Sequence, residues 1–386
     1  MWRHIASNAL TFLIVGLFLL AGLVAWGNRQ YTAPGPLAAA ICLKVPAGAA
    51  NTDALTETLL EEGAISSAFI YETGARYSEK AGDIKFGRFR VPAAASMEEI
   101  VDIVTRGGRN TCGAEVIYRV GINQTLVDVR ELDPATNEFV EVADFIVGET
   151  EPPASYEATK ADGNATFRLV IAEGATSWQI TNALGQIDSL VADVSDAPAE
   201  GSLAPRDYEF TPGDTVSSIL NRMQETQAAI LAEAWENRVD GLPLASPEEA
   251  LILASIIEKE TSVPDERRQV SSVFVNRLNT GMRLQTDPTV IYGITRGEGV
   301  LGRGLRQSEL RGETPWNTYV IAGLPPTPIA NPGQAAIEAA LDPDTTEYIF
   351  FVADGTGGHA FATNLDDHNR NVARWREIEA ERANDG

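Results

Sequence analysis

Residues 251–293, LILASIIEKETSVPDERRQVSSVFVNRLNTGMRLQTDPTVIYG, constrain the chain locally more than any other stretch. Leu253, Ile256, Ile257 and Glu260 fall at i, i+3, i+4 and i+7, which is one face of a helix expected over 251–261. Pro264 cannot continue that helix but suits the first turn of another, with Asp265 and Glu266 beside it and Thr261 or Ser262 available as caps. The second helix runs through Val270, Val273, Phe274 and Leu278 and stops at Gly281, a residue free to take the left-handed conformation of a helix end. It also carries Asn276 and Arg277. Beyond it, Gln285, Thr286 and Asp287 are polar side chains on a turn between apolar elements, suited to turn chemistry or to binding. Asp287 before Pro288 reads as the cap of a short helix through Val290 and Ile291.

Two glutamates share the first helix. Glu258 lies about 200° round the axis from Glu260, among Leu251, Ala254, Ser255 and Thr261, a less apolar set. Glu260 is therefore the carboxylate pressed against the apolar face. Desolvation disfavours its charged form, which is what a general acid near neutral pH requires. An isolated glutamate at this spacing is more often an ordinary surface or cap residue, so the neighbourhood decides.

The neighbourhood is distinctive. ASIIEKET, VFVNRL, GMRLQTDPTVIYG, NTY with GLPPTPIANPG, and FVADGTGGHAFATNLDDHN, spread over residues 210–375, resemble the signature run of the membrane-anchored endolytic murein transglycosylases, the MltG/YceG family. The resemblance implies that the second glutamate of E-K-E-T, Glu260, is the functional one, as the helical-face argument also holds. It implies a lyase that cleaves the β-1,4 bond between N-acetylmuramic acid and N-acetylglucosamine within glycan strands. Glu260 would protonate the leaving oxygen and then take the proton of the sugar's own C6 hydroxyl, leaving a 1,6-anhydro end. Tyr292, Asn317, Thr318 and Tyr319, with His359, Thr363, His368 and Asn369, join Asn276, Gln285, Thr286 and Asp287 as groups that line or support a glycan groove. By chemistry alone several of these could be core or capping groups. The family implies peptidoglycan as substrate and cell-wall synthases as partners.

Composition narrows the alternatives. The chain has 386 residues, 30 basic and 54 acidic, for a net charge of −24, which argues against nucleic acid or a polyanionic glycan held by bulk charge. Residues 10–27, LTFLIVGLFLLAGLVAWG, are uncharged and about long enough to span a bilayer, with Arg3 before and Arg29 after. A retained single-pass inner-membrane anchor with the body in the periplasm is expected, a cleaved signal peptide being the alternative. In that oxidising compartment Cys42 and Cys112 can pair, against two buried thiols as the alternative.

The expected class is α+β. Residues 1–30 make the cytoplasmic tip and anchor, and 31–122 a small α/β module, LysM-like by resemblance. Residues 123–165 read as a β-rich insertion with a hairpin around Asp133 and a Glu/Pro-rich loop, structural decoration without chemistry. Residues 166–205 echo the strand–turn–helix of 41–59 and lead into a connection, and 206–386 form the catalytic part, with proline-locked loops, a hairpin round Asp354 and a closing helix.

No cofactor is expected. Three histidines are too few and too poorly spaced for a recognisable metal site, and no G-x-S-x-G elbow exists. Two other classes stay open: a hydrolase pairing Glu260 with Asp287, and a non-catalytic wall-binding protein.

Overall fold

The computed structural model describes residues 2–45, 52–106, 112–133, 136, 138–161 and 165–385, with side chains from residue 14 in the first helix, from 55 in the second and to 382 in the last. The fold is mixed α/β. It divides into two compact units: Met1–Glu115 with Arg130–Glu141 and Asp162–Thr166, and Val116–Val129 with Val142–Ala161 and Phe167–Gly386.

The first unit holds α1 (Trp2–Thr32), β1 (Ile41–Val45), α2 (Thr52–Glu61), α3 (Ala68–Tyr77), β2 (Gly87–Val91) and α4 (Met97–Thr105). β1 and β2 pair antiparallel with Leu43 opposite Phe89. Leu43, Val45, Phe89 and Val91 are buried with Leu55, Leu59, Tyr71 and Ile100, the alternation expected of strands with one face on a core. Ser96 and Glu99 cap α4 reciprocally, at 3.2 and 2.9 Å. Cys42 and Cys112 form a disulfide with their Cα atoms 5.8 Å apart. α1 exposes Leu17, Phe18, Leu20, Leu23, Val24 and Trp26 but buries Tyr31 in this core. A Cβ on Gly74 would lie 2.3 Å from the Tyr31 ring, so α3 must carry glycine where that ring packs. Among the described residues no helix is long and apolar enough to cross a membrane. The turn expected at 46–50 and most of the hairpin tip at 133–137 lie outside the described residues.

Five more strands, β3 (Ala114–Val120), β4 (Thr125–Leu132), β5 (Phe139–Ile146), β6 (Thr166–Ile171) and β7 (Asp207–Phe210), form one sheet in the order β5-β4-β3-β6-β7. This corrects the expectation of a decorative insertion: β4 and β5 build one side of the sheet, and Val127 and Val129 are fully buried. The Glu/Pro-rich loop is also not all loop. It contains α5 (Ala154–Ala161), because Tyr156 packs edge-on to Phe145 at 5.0 Å and its hydroxyl meets those of Tyr118, at 2.8 Å, and Ser189, at 3.2 Å. β7 was concealed in a proline-punctuated connection. It pairs antiparallel with β6, Phe167 opposite Phe210, a register that joins two rings across the sheet.

The remainder is helical. α6 (Ser177–Gly185) and α7 (Val216–Glu236) precede α8 (Pro247–Glu260), the 3-10 turn Pro264–Glu266, α9 (Arg267–Thr280), α10 (Asp287–Thr295), α11 (Gln307–Leu310) and α12 (Gln334–Leu341). β8 (Phe350–Ala353) and β9 (His359–Ala362) make the expected hairpin, and α13 (Leu365–Asp385) closes the chain. Leu253, Ala254, Ile256 and Ile257 of α8 bury against Val270 and Phe274 of α9 and Ile337 and Ala340 of α12. Truncating any of these large side chains to Ala costs about 2–5 kcal/mol.

Candidate active site

Ser246 caps the start of α8, its hydroxyl accepting from the Glu249 N–H at 3.4 Å, and Pro247 sits in the first turn. Thr261 ends the helix in an extended conformation, and the turn at Pro264 follows. Glu260 is thus the last helical residue. A carboxylate there meets the negative end of the helix dipole, which favours its protonated form. Both sides of α8 are buried: Ala254 and Ser255 are as inaccessible as Ile256 and Ile257. The apolar-face argument alone would therefore not separate the two glutamates; their partners do. Glu258 accepts the Gly333 N–H at 3.0 Å. Glu260 opens on a cavity of about 270 Å³ that it lines with Thr261, Ser262, Ala353, His359, Trp375 and Arg382.

Desolvation is the first cause holding the Glu260 carboxyl above its ordinary range. The Thr286 hydroxyl, which donates to Oε1, opposes that shift; Asp287 reinforces it; His359 and Arg277 oppose it. The Glu258 carboxyl is raised too, first by burial, so the direction of the shift does not choose between them and geometry must.

Thr286 is held for its task. Its N–H donates to the Thr318 hydroxyl at 3.0 Å, and the Gln285 N–H to the Thr318 carbonyl at 3.2 Å, with Gln285 at φ 49°. Thr289 and Thr318, both fully buried, join hydroxyls at 2.9 Å. Asp287 does not cap α10, which corrects the expectation from the Asp-Pro pair: Thr286 occupies the cap position, and no side chain caps the helix. The Asp287 carboxylate instead accepts from the Tyr319 hydroxyl at 2.6 Å.

The other residues expected to line or support the groove have varied surroundings. Asn276 donates to the carbonyls of Thr346 and Tyr348, each at 2.9 Å. Asn317 is fully buried and donates to three carbonyls, at 2.7 Å for Gly312. Tyr292 packs on Trp316 at 5.7 Å, and burial, reinforced by Glu200, raises its hydroxyl pKa. His368 stacks on Phe350 at 4.9 Å, and desolvation lowers its pKa. Thr363 and Asn369 are exposed.

Arg277 was the functional-looking residue the motifs did not single out. It donates from Nε to the Ile349 carbonyl at 2.7 Å and from Nη1 to the Leu284 carbonyl, and is buried beside Glu260. A lone arginine inside the apolar run VFVNRL was the available signal. Trp375 and Arg382 reach the cavity from α13, and nothing local marked them. Among the described residues no group of three or more His, Cys, Asp and Glu side chains could hold a metal ion.

Fold and site together define a mixed α/β protein in which a desolvated glutamate, Glu260, ends a buried helix at a cavity. The chain belongs to the YceG-like family, whose model matches residues 43–374. It is 36% identical over 173 residues, 45% of its length, to the endolytic murein transglycosylase of Bacillus subtilis (strain 168), and 25% identical over 390 positions, 96% of its length, to that of Streptococcus pneumoniae serotype 2 (strain D39). The alignments span 47% and 65% of those relatives, less than two thirds of either. A solved structure of a YceG-like protein from Listeria monocytogenes aligns at 25% identity over 86% of this chain and 98% of that one, with a TM-score of 0.46.

Proposed function

We propose that this chain is a peptidoglycan lytic transglycosylase with Glu260 as its acid. The observation that carries the reading is the position of Glu260: at a cavity, its proton favoured by desolvation, its oxygen aimed by the Thr286 hydroxyl. The relatives that match are murein transglycosylases by name, which supports the same substrate. Protonated Glu260 gives its proton to the oxygen between N-acetylmuramic acid and N-acetylglucosamine as the C1–O bond breaks. The muramyl C6 hydroxyl then closes on C1, losing its proton to a base in the cavity, to leave a 1,6-anhydro end. Because that nucleophile is part of the substrate, no water has to be positioned.

Residues 10–27 serve in this reading as a retained inner-membrane anchor, with the body in the periplasm and residues 31–122 as a LysM-like wall-binding module. Peptidoglycan strands are the substrate and cell-wall synthases the partners, in wall assembly or strand termination.

A second reading is a two-carboxylate hydrolase. It gains from the finding that Asp287 is not a helix cap and acts electrostatically on Glu260. The product separates the two. The detergent-solubilised full chain, incubated with murein glycan, should give 1,6-anhydro-muramyl ends, lighter by one water, about 18 Da, than the reducing ends of hydrolysis. Reducing ends as the main product would place Asp287 in the catalytic pair. Glycan binding without cleavage would leave a binding protein.

A further inference from the structure

β9 begins with His359, which lines the same cavity as Glu260, and an acidic side chain far away in sequence holds it. The Glu266 carboxylate accepts the His359 backbone N–H at 2.9 Å and lies 2.7 Å from Nδ1. A carboxylate can only accept, so Nδ1 carries the hydrogen, and Nε2 of the neutral ring is left as an acceptor. His359 lines the cavity with Glu260, whereas Glu266 does not. The ring is also held by packing: Phe351 meets it edge-on at 5.3 Å and Phe361 lies 6.4 Å away. The Gly-rich turn is shaped for the pair. A Cβ on Gly358 would lie 2.4 Å from Glu266 Oε1, so a side chain there would displace the carboxylate from its present position.

We propose that His359, oriented by Glu266, is the base that takes the proton of the attacking C6 hydroxyl, so that acid and base roles fall on two side chains facing one cavity. This rests on the lytic reading above. In the step, the Glu260 carboxyl proton passes to the glycosidic oxygen as C1–O breaks, and O6 bonds to C1 as its proton passes to Nε2. Glu260 is left ionised and His359 an imidazolium, and solvent in the cavity returns the proton from ring to carboxylate. No other reactant is needed. The charged groups that face His359 are Glu266 on the 3-10 turn, Glu260 on α8, Asp354 in the β8–β9 turn and Arg382 on α13. Glu266 is a positioning residue, acting through the ring.

The test uses the full chain and murein glycan. His359→Asn keeps an amide in place of Nδ1–H, and so keeps the bond to Glu266, but deletes Nε2; a fall in kcat/KM of about 10²-fold with an unchanged unfolding midpoint is expected. Glu266→Gln should lower kcat with KM near the wild-type value, because an amide still accepts the ring N–H but no longer stabilises the imidazolium formed in the step. A structural role for Glu266 would lower the unfolding midpoint and raise KM together with the loss of kcat. Wild-type kcat/KM in folded His359→Asn, or an unchanged kcat in folded Glu266→Gln, overturns the inference. Whether the wild-type product is 1,6-anhydro is a separate measurement, and its failure would concern the function instead.

Discussion

Glu258 and Glu260, two positions apart on one helix, commit their carboxylates to different partners: Glu258 accepts the Gly333 N–H at 3.0 Å, and Glu260 accepts the Thr286 hydroxyl at the edge of the cavity. Glu260→Gln should therefore lower turnover by at least about 10²-fold, since an amide keeps the volume but cannot give a proton. Glu258→Gln retains an acceptor for Gly333 and should cost far less. Turnover of both variants on murein glycan decides it; equal losses would mean that the helix does not sort the two roles.

Thr286→Val removes one hydroxyl at nearly constant shape. That hydroxyl stabilises the ionised form of Glu260 and holds its pKa down, so the variant's carboxyl should titrate higher still. An acid works while protonated, and the alkaline limb of kcat/KM should move to higher pH. A limb that stays in place would show that the hydrogen bond does not bear on the acid.

Stability should also depend on Glu260. A carboxyl whose pKa is raised by folding holds stability that is complete below its ordinary 4.5 and lost as pH rises through the folded value. Above that window Glu260→Gln should unfold at a higher temperature than the wild type, and the difference should vanish near pH 4. Each 1 kcal/mol gained corresponds to roughly 2–4 °C for a unit of this size. Thermal unfolding of both proteins across the range checks the sign.

Arg277→Met should destabilise the chain by roughly 2–5 kcal/mol. It strands the carbonyls of Ile349 and Leu284 and withdraws a buried positive charge from beside Glu260. Denaturant unfolding measures the loss, and a change below 1 kcal/mol would mean that water replaces the guanidinium.

Cys42→Ser together with Cys112→Ser opens a bridge across a sequence separation of 70. In the chain-entropy account that is worth about 4 kcal/mol. Thiol labelling of the unfolded, unreduced wild type should find no free thiol, and the double variant should unfold at lower denaturant.

What could be read along the chain was whatever is local. The apolar period of residues 253–260 placed Glu260 on its helix face, Pro264 separated two helices, and Gly281 ended the second at φ 69°. These follow from steric rules that act within one turn of backbone. Contacts between distant segments left no such trace. Strands β4 and β5 read as decoration because their partner β3 is not recognisable from their own alternation. Asp287 read as a cap because the preference of Asp-Pro is local, while Tyr319, 32 residues on, claims its carboxylate. Asn276 and Asn317 read as groups that line or support a groove, and an amide in sequence does not show which carbonyls it will meet. Glu266 and His359, 93 residues apart, become one unit only when the hairpin folds against the turn. The sequence by itself determined the helices of 251–281 and put Glu260 forward as the candidate acid. The tertiary structure alone decided which polar groups stand free to act, because burial and hydrogen-bond partners are set by the segments that pack around them.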